Sequence, residues 1–243
     1  MSGIAFDKYA QKGAYHWAEY HGGLRRLNAY TRGRYDIVLQ ALQESKLPAG
    51  SRVLDVGCGD AALTGLLAGR CHYDVAGVDA DPLALDLAGQ LFRATGLKGE
   101  FRQAEGYAYP FADASFDAAV CADVIEHVDD PTAMLREIHR VLRPGGVLAI
   151  TTPIRFTDRP LDPHHVQEWF VDGFTALCAE IFGAPVKAEI SHPVFWYEAY
   201  NSGRFGRLGI NLMTLLGLNP FLSRRTTWRC YTTQLLLLRK AGP

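Results

Sequence analysis

The sequence predicts an α/β fold in which a mostly parallel sheet is covered by helices on both faces. From Arg52 onward, short runs rich in β-branched residues alternate with amphipathic stretches, which is the pattern of repeated strand-helix-strand units. Between those runs, apolar residues recur at helical spacing, so each connection predicts a helix with one buried face. At 243 residues the chain is long enough for one such domain with a substantial core.

Seven segments predict strands, because each is a short run of strand-forming residues bounded by polar or turn-forming residues. The four central strands are predicted at Arg52–Val56, 74–78, Phe116–Ala122 and 147–152. A weaker and more polar candidate spans 99–104, and the segments 186–190 and 231–238 predict a final pair.

The helices between these strands have recognisable start and stop signals. Asp81 and Asp130 each precede a proline, so each predicts a capping carboxylate followed by proline at the first helical position. The segment 143–146, with the sequence RPGG, predicts a turn between the second of these helices and the next strand. Residues 35–43 predict a further helix that could cover a pocket.

Composition excludes several classes of protein. The formal net charge of −1 and the pI near 6.7 provide no basic field for an extended nucleic-acid partner. The five cysteines are scattered without a C-x-x-C spacing, which argues against a disulfide framework and a zinc site. No apolar run approaches the ~20 residues that span a bilayer, and the N-terminus lacks a signal-peptide pattern. We therefore expect a soluble cytoplasmic protein.

A glycine-containing loop predicts a cofactor site. Gly57 and Gly59 follow the first predicted strand, where two positions without side chains let a ligand approach the backbone. The spacing also satisfies a dinucleotide fingerprint, and Asp79 lies twenty residues after Gly59, where it could bind ribose hydroxyls of either cofactor. Asp55 favours a cationic ligand, because a pyrophosphate would be repelled by its charge.

Five motifs occur in order over residues 52–152. They are VLDVGCG (53–59), GVD (77–79), YPFADASFD (109–117), ADVIEHVDDP (122–131) and REIHRVLRPGG (136–146). With these motifs the chain resembles the class I S-adenosylmethionine (SAM)-dependent methyltransferases, a family that includes the ubiquinone-biosynthesis O-methyltransferases. The resemblance implies a Rossmann-like, seven-stranded sheet whose last strand is antiparallel, with SAM across the carboxyl ends of the first strands.

The resemblance also implies which residues bind SAM. Asp79 would accept from both ribose hydroxyls, while Glu105 and the N–H of Gly106 would bind the adenine, although the family more often has Asp at the position of Glu105. Asp123 would lie near the sulfonium and the methionine amine, and Arg34 would reach the methionine carboxylate. The implied cofactor-binding set is Arg34, Asp55, Gly57, Gly59, Asp79, Ala80, Glu105, Gly106 and Asp123.

Two histidine positions are candidates for a catalytic base. Methyl transfer to a hydroxyl is assisted by a histidine that removes the proton during attack. His127 is the first candidate, and the second is the pair His164-His165, of which we select His165. Asp123, Glu126 and His127, with a distal histidine, also resemble the metal-binding set of small-RNA 2′-O-methyltransferases. We expect no metal and keep that site as an alternative.

The remaining segments are expected to bind the acceptor. We predict one methyltransferase domain in which 1–45 is an aromatic N-terminal cap, 46–190 and 229–243 form the SAM-binding core, and 191–228 is a lid or interfacial insertion. Aromatic residues in the cap and the insertion favour an apolar or ring-shaped acceptor. The apolar segment within 204–225, flanked by arginines, fits a peripheral membrane contact, a homodimer interface or a buried lid equally well.

The leading interpretation is methyl transfer to a hydroxyl of a small or lipid-linked acceptor such as a quinone, a sugar or a natural product. N-methylation of a small molecule and metal-dependent 2′-O-methylation of RNA are the alternatives. An NAD(P)-dependent oxidoreductase would share the glycine spacing but would not account for YPFADASFD or LRPGG. A SAM-binding module without catalytic activity also stays open.

Overall fold

The computed structural model describes residues 8–105, 107–160, 162–223 and 230–242. A seven-stranded sheet in the order β3-β2-β1-β4-β5-β7-β6 forms its centre. The strands are β1 (Arg52–Val56), β2 (Asp74–Asp79), β3 (Glu100–Gln103), β4 (Phe116–Ala122), β5 (Leu142–Pro153), β6 (Lys187–Pro193) and β7 (Tyr231–Arg239). The pairs among β1 to β5 are parallel, and β7 is antiparallel to both β5 and β6. The predicted fold class is confirmed.

Helices cover both faces of this sheet. Within the described ranges they are α1 (Lys8–Lys12), α2 (Tyr15–His21), α3 (Ala29–Glu44), α4 (Ala62–Cys71), α5 (Pro82–Thr95), α6 (Pro131–Val141), α7 (Val171–Phe182), α8 (Val194–Asn201) and α9 (Arg204–Leu215). Short 3-10 turns occupy Ile125–His127 and Pro220–Leu222.

Each central strand contributes to two apolar cores, because successive side chains of a strand point to opposite faces. In β1, Val53 packs in the core on the side of α3, α4 and α5, and Leu54 packs in the core on the side of α6 and α7. The sheet is therefore buried on both faces, which explains why its strands read as nearly continuous apolar runs.

The predicted helix starts at Asp81 and Asp130 are confirmed. Each carboxylate accepts a hydrogen bond of 2.9 Å from the backbone, Asp81 from Leu83 and Asp130 from Ala133. The predicted helix at 35–43 begins earlier, at Ala29, because Asn28 caps it by accepting from two backbone N–H groups at 3.2 Å.

Two predicted boundaries were wrong. The predicted turn at 143–146 lies inside β5 as a bulge, since the pairing with β4 jumps from Phe116–Leu142 to Ala118–Val147. Backbone bonds to Lys240 hold this segment in the sheet, with N–H···O distances of 3.0 Å from Gly145 and 2.9 Å to Gly146. Strand β6 runs to Pro193, so the predicted insertion cannot begin at 191.

Helices α8 and α9 follow β6 and pack beside α3. Tyr200, Ile210 and Phe221 form a small core with Ala29 of α3. Within the described ranges, none of the helices combines the length and the apolar character needed to cross a membrane. The predicted apolar segment continues to Arg224 and Arg225, which lie outside the described residues.

Candidate functional site

A single large cleft lies at the carboxyl ends of β1, β2, β4 and β5. Its volume is about 1290 Å³, which exceeds the roughly 300–1,000 Å³ of an ordinary ligand pocket and leaves room for two ligands. Most of the predicted site residues line it, namely Arg34, Gly57, Gly59, Asp79, Ala80, Asp123, His127, His164 and His165. The structure therefore brings the predicted cofactor residues and the candidate bases to one place.

The loop after β1 requires glycine at two positions. Gly57 and Gly59 have φ of +70° and +53°, a left-handed conformation that side chains disfavour. A Cβ at Gly57 would lie 2.4 Å from Cγ2 of Val124, and a Cβ at Gly59 would lie 2.0 Å from the hydroxyl oxygen of Tyr9. The chain itself therefore packs tightly against the loop from two sides.

Asp55 lies behind the glycine loop. Its side chain is 2 % exposed, accepts a 2.6 Å hydrogen bond from the Thr64 hydroxyl, and is not among the described residues that line the cleft. Burial raises the pKa of this carboxyl to about 7. The side chain joins β1 to α4, and its role toward a cationic cofactor stays a prediction.

Asp79 lies at the end of β2 with its carboxylate in the cleft wall. One oxygen accepts from the N–H of Gly59 at 2.8 Å and the other from the N–H of Asp81 at 2.9 Å. Each carboxylate oxygen can accept a second hydrogen bond. Burial raises the pKa of Asp79, and additional donors would stabilise its charge. These properties fit the hydroxyls of a ribose.

The predicted adenine contacts are not resolved by the structure. The Glu105 side chain is exposed and is not among the described residues that line the cleft, while Gly106 lies outside the described residues. Ala80 does line the cleft, and its carbonyl accepts from the Gln103 amide at 3.1 Å. The assignment of Glu105 and Gly106 to the adenine stays a prediction.

Arg34 and Asp123 form an ion pair between α3 and the end of β4. Nη1 of Arg34 donates to Oδ2 of Asp123, whose other oxygen accepts from the Thr151 hydroxyl at 3.0 Å. Although burial opposes it, the carboxylate of Asp123 raises the pKa of Arg34, so the guanidinium stays charged. Nε of Arg34 is buried and has no hydrogen-bond partner among the described atoms. An unsatisfied cationic donor in the cleft fits the carboxylate of a SAM methionine group.

The candidate base His127 has a defined tautomer. Its Nδ1 lies 2.9 Å from the carbonyl oxygen of His164, and because a carbonyl oxygen only accepts, Nδ1 carries the proton and Nε2 carries the lone pair. Burial lowers the pKa of His127, so the imidazole is neutral at neutral pH. His127 therefore has the protonation state that a base requires.

His165 lies beside His127 in an edge-to-face contact, with ring centroids 4.9 Å apart. Its Nδ1 donates to the buried carboxylate of Glu168 at 2.6 Å, which leaves Nε2 as the basic nitrogen. Glu126, His127 and His165 offer ligand atoms within 4.8 Å of one another. Tetrahedral zinc sites hold such atoms about 3.4 Å apart, so the group would have to draw together to bind a metal.

Glu126, for which the sequence predicted only a possible role in binding a metal, has a buried carboxyl group. The side chain is fully buried, Oε2 accepts from the Thr152 hydroxyl at 2.9 Å, and Oε1 has no hydrogen-bond partner among the described atoms. Burial, and secondarily the charge of Asp123, raise the pKa of this carboxyl well above its usual range. Burial therefore favours the protonated form of Glu126, and Oε1 is a buried oxygen without a hydrogen-bond partner among the described atoms.

Sequence reasoning missed the residue that holds the N-terminal helices over the cleft. The buried carboxylate of Asp60, directly after the glycine loop, accepts from the backbone N–H of His16 at 2.9 Å and of Trp17 at 3.2 Å. Burial raises the pKa of Asp60 to about 6. The pattern Gly-Asp after the loop was visible in the sequence, but the partners lie more than forty residues away.

Part of the predicted aromatic cap faces the cleft. Tyr9, Tyr15, Tyr30 and Tyr35 line it together with Tyr197 of α8. Other aromatic residues of the two segments pack elsewhere: Trp17 and Tyr20 lie against the main core, and Tyr200 lies in the small core beside α3. The cleft is therefore bounded by phenol rings from both the N-terminal segment and α8.

Comparison with known proteins identifies related sequences. A family model described as "Methyltransferase domain" matches residues 54–150. A ubiquinone biosynthesis O-methyltransferase of Xanthomonas axonopodis pv. citri (strain 306) is 36% identical over 148 residues, covering 60% of this chain and 59% of that protein. The protein of the same name from Cereibacter sphaeroides (strain ATCC 17029 / ATH 2.4.9) is 30% identical over 169 residues, covering 65% of this chain and 68% of that protein.

Solved structures share the fold over nearly the whole chain. A putative sarcosine dimethylglycine methyltransferase from Galdieria sulphuraria superposes with a TM-score of 0.65 at 16% identity, covering 97% of this chain and 96% of that one. At so low an identity the likeness shows the fold alone. The matched part spans only 59% of the length of the Xanthomonas relative, so the acceptor of that relative cannot be assigned to this chain directly.

Proposed function

Because the chain belongs to the class I SAM-dependent methyltransferases, we propose that it methylates a hydroxyl group of a small or lipid-linked acceptor held beside His127. Bound SAM supplies an activated methyl group on a sulfonium, so the protein mainly has to align the acceptor and exclude water. The two ends of the cleft suit these two ligands. The end near Asp79 suits the nucleoside of SAM, and the end near His127 suits the acceptor.

The observation that carries this proposal is the state of His127. Its Nδ1 is held by the His164 carbonyl at 2.9 Å, and burial lowers its pKa, so the ring presents a neutral basic nitrogen. A hydroxyl is a poor nucleophile until its proton is removed, whereas a neutral amine already carries a reactive lone pair. A histidine held in its neutral, basic form therefore favours oxygen over nitrogen as the methylated atom.

The cofactor end is supported by three side chains. Asp79 has accepting capacity left for the ribose hydroxyls, and the Nε of Arg34 is an unsatisfied donor for the methionine carboxylate. Asp123 keeps Arg34 oriented by the ion pair between them. The N-terminal helices, tied to the loop through Asp60, cover the cleft and keep water from the transferred methyl group.

The acceptor end favours a ring-shaped or apolar molecule. Tyr30, Tyr197 and Phe156 line the cleft away from the glycine loop, and aromatic side chains bind planar and apolar groups by stacking or edge contacts. The curated relatives are named for ubiquinone biosynthesis, which is compatible with an aromatic hydroxyl acceptor. We propose a phenol or catechol ring as the first acceptor to test.

The test is a methyl-transfer assay with SAM labelled in the methyl group and matched acceptors, catechol and aniline derivatives of the same ring substitution. We expect labelled product from the hydroxyl series and none from the amine series, with the methylated atom identified by mass spectrometry. His127→Asn should abolish most of the transfer. His72→Asn, the same change at an exposed histidine outside the cleft, is the control. Transfer to amines alone would contradict the proposal.

A second candidate function rests on the cluster of Glu126, His127 and His165. These side chains could bind a divalent metal that polarises a 2′-hydroxyl of RNA, as in the alternative predicted from the sequence. The net charge of −1 provides no overall positive field to attract an extended RNA chain. Loss of transfer after removal of metal, restored by Mn²⁺, would favour this candidate.

A further inference from the structure

Helix α9 buries two polar side chains and exposes several large apolar ones. Asn211 and Thr214 are buried beside Ile210. The Asn211 amide donates to the carbonyls of Leu24 at 3.0 Å and Leu27 at 2.7 Å, and the Thr214 hydroxyl donates to the carbonyl of Ile210 at 2.8 Å. A helix on a water-facing surface normally buries its apolar stripe and exposes its polar one. The exposed apolar side chains of α9 therefore depart from the pattern of a helix that faces only water.

The outward face carries a row of large apolar side chains. Phe205, Leu212 and Leu216 lie seven and four residues apart, which places them on one side of the helix axis, and the half-buried Leu208 lies between the first two. The most exposed members of this surface are Phe205 at 89%, Leu212 at 49%, Leu215 at 43%, Leu216 at 70% and Leu218 at 64%. We call these five residues the α9 ridge.

A basic hollow adjoins the ridge at the N-terminal end of α9. It has a volume of about 310 Å³ and is lined by Tyr200, Asn201, Gly203, Arg204 and Arg207. Nε of Arg207 donates to the Tyr200 hydroxyl at 3.2 Å, with the guanidinium 5.3 Å from the centre of that ring. Arginine in such a position recognises phosphate oxygens.

The charge around the ridge is one-sided. Between residues 191 and 223 the only acidic residue is Glu198, against Arg204 and Arg207. Arg25 and Arg26 are exposed in the loop whose carbonyls the Asn211 amide binds. Apolar side chains rimmed by arginine complement a surface that is apolar inside and negatively charged at its boundary.

We propose that the α9 ridge and the adjoining basic hollow dock on an anionic lipid bilayer. Phe205 and the leucines of the ridge would enter the acyl boundary, while Arg204 and Arg207 would bind lipid phosphates. A second copy of the chain is the poorer occupant, because a two-fold contact through this face would bring the same arginines of both copies together. The docking does not rest on the proposed acceptor.

Helix α8 connects the α9 ridge to the wall of the cleft. Tyr197 lines the cleft and is also 43% exposed, and α8 leads into α9 through Ser202 and Gly203. A protein docked by the α9 ridge would therefore hold one wall of the cleft close to the bilayer. An acceptor that partitions into lipid could reach the cleft over a short path.

The test is co-sedimentation of the full chain with vesicles of phosphatidylcholine alone and of phosphatidylcholine with phosphatidylglycerol. We expect binding to the anionic vesicles. Leu212→Glu and Leu216→Glu should each lower the partition coefficient by about tenfold or more, because each removes an apolar contact and adds negative charge. Arg204→Gln should weaken binding to anionic vesicles. Val186→Glu, an equally exposed apolar position at 57% outside the ridge and the cleft, is the matched control.

Each outcome decides the question. Binding that is lost in both leucine variants and kept in Val186→Glu supports the proposal. Failure of the unaltered protein to sediment with either vesicle overturns it, as does unchanged binding in the leucine variants. A dimer in sedimentation equilibrium that both leucine variants convert to monomer, without lipid binding, would assign the ridge to a second copy. S-adenosylhomocysteine binding, measured in parallel, shows that each variant is folded and tests the methyltransferase site separately.

Discussion

Arg34 and Asp123 join the N-terminal helix α3 to the end of β4 by a partly buried ion pair in the wall of the cleft. The side chains are 22% and 9% exposed, so water screens the pair little. Nη1 of Arg34 donates a hydrogen bond to Asp123, and the neighbouring Nε has no hydrogen-bond partner among the described atoms. The ion pair therefore holds the Arg34 guanidinium in place and leaves one of its N–H donors without a partner. A substitution that keeps the charge but removes this donor separates the role of Arg34 in folding from its role in cofactor binding.

The first prediction concerns the geometry of that cation. Arg34→Lys keeps the charge but removes the planar guanidinium with its Nε–H, so we expect S-adenosylhomocysteine affinity to fall about tenfold or more, as for a lost charged hydrogen bond. Titration calorimetry measures the change. Arg32→Lys is the matched control, since Arg32 lies on the same helix and pairs with Asp36 outside the cleft. Equal affinities for the two variants would remove Arg34 from the cofactor site.

The second prediction concerns the ribose. Asp79→Asn keeps the shape of the side chain but replaces one accepting oxygen by a donor, so we expect S-adenosylhomocysteine affinity to fall by about ten- to hundredfold. Asp81→Asn is the control, because asparagine caps a helix as well as aspartate does. Gly57→Val would be a poorer test, since its Cβ would lie 2.4 Å from Cγ2 of Val124 and strain the fold itself.

The sheet and its helix starts could be predicted because their signals are local. The strands are short apolar runs, and the Asp-Pro pairs at Asp81 and Asp130 mark helix starts within two residues. The bulge in β5 could not be predicted, because the RPGG sequence is typical of a turn, and bonds to Arg239 and Lys240 at the end of β7 keep it in the sheet. A distant strand decided the outcome.

The candidate site was predictable to the same degree. Motifs placed Asp79, Asp123 and His127 in one cleft, since residues after parallel strands meet at one edge of the sheet. The hydrogen bond from Thr64 to Asp55 could not be predicted, because the spacing of the motif gives no partner for that carboxyl. The exposed apolar side of α9 could not be predicted either, because a segment that is apolar all round does not indicate which side turns inward.

The third prediction concerns His127. If His127 accepts the acceptor proton, His127→Asn should lower kcat by about 10²- to 10⁴-fold with little change in S-adenosylhomocysteine affinity. The unaltered enzyme should lose activity as pH falls, with a midpoint below the ordinary histidine pKa of 6.5, since burial lowers the pKa of this residue. Measuring kcat/KM against pH tests the sign. If the residual activity of His127→Asn falls with the same midpoint as pH is lowered, the titration belongs to another group.

The fourth prediction separates proton transfer from metal assistance at the same residues. We expect the enzyme to keep its activity after treatment with EDTA and gel filtration, because His127 can accept the proton of a hydroxyl without an ion. Activity and bound metal should be measured on the same samples by mass spectrometry of the elements. Loss of activity that Mn²⁺ restores, together with one metal per chain, would instead assign Glu126, His127 and His165 to a metal site.

The fifth prediction concerns the buried carboxyl of Asp55. Burial raises its pKa from 3.8 to about 7, so between these values the native state holds a proton that the unfolded chain has released. Stability from this group is therefore lost as pH rises, by up to about 1.4 kcal/mol per pH unit. Asp55→Asn removes the titration while keeping an oxygen for the Thr64 hydroxyl, so its free energy of unfolding should gain on the unaltered protein as pH rises.

Urea unfolding of both proteins at a series of pH values from below 3.8 to above 7 measures that difference. Asp60, whose pKa burial raises to about 6, contributes with the same sign, so Asp55→Asn should flatten the profile only in part and mostly at its upper end. Asp74→Asn, with a side chain 69% exposed, is the control and should leave the profile unchanged. If Asp55→Asn and the unaltered protein follow parallel profiles, the Asp55 carboxyl is ionised throughout, and its contact with Thr64 is that of a charged acceptor.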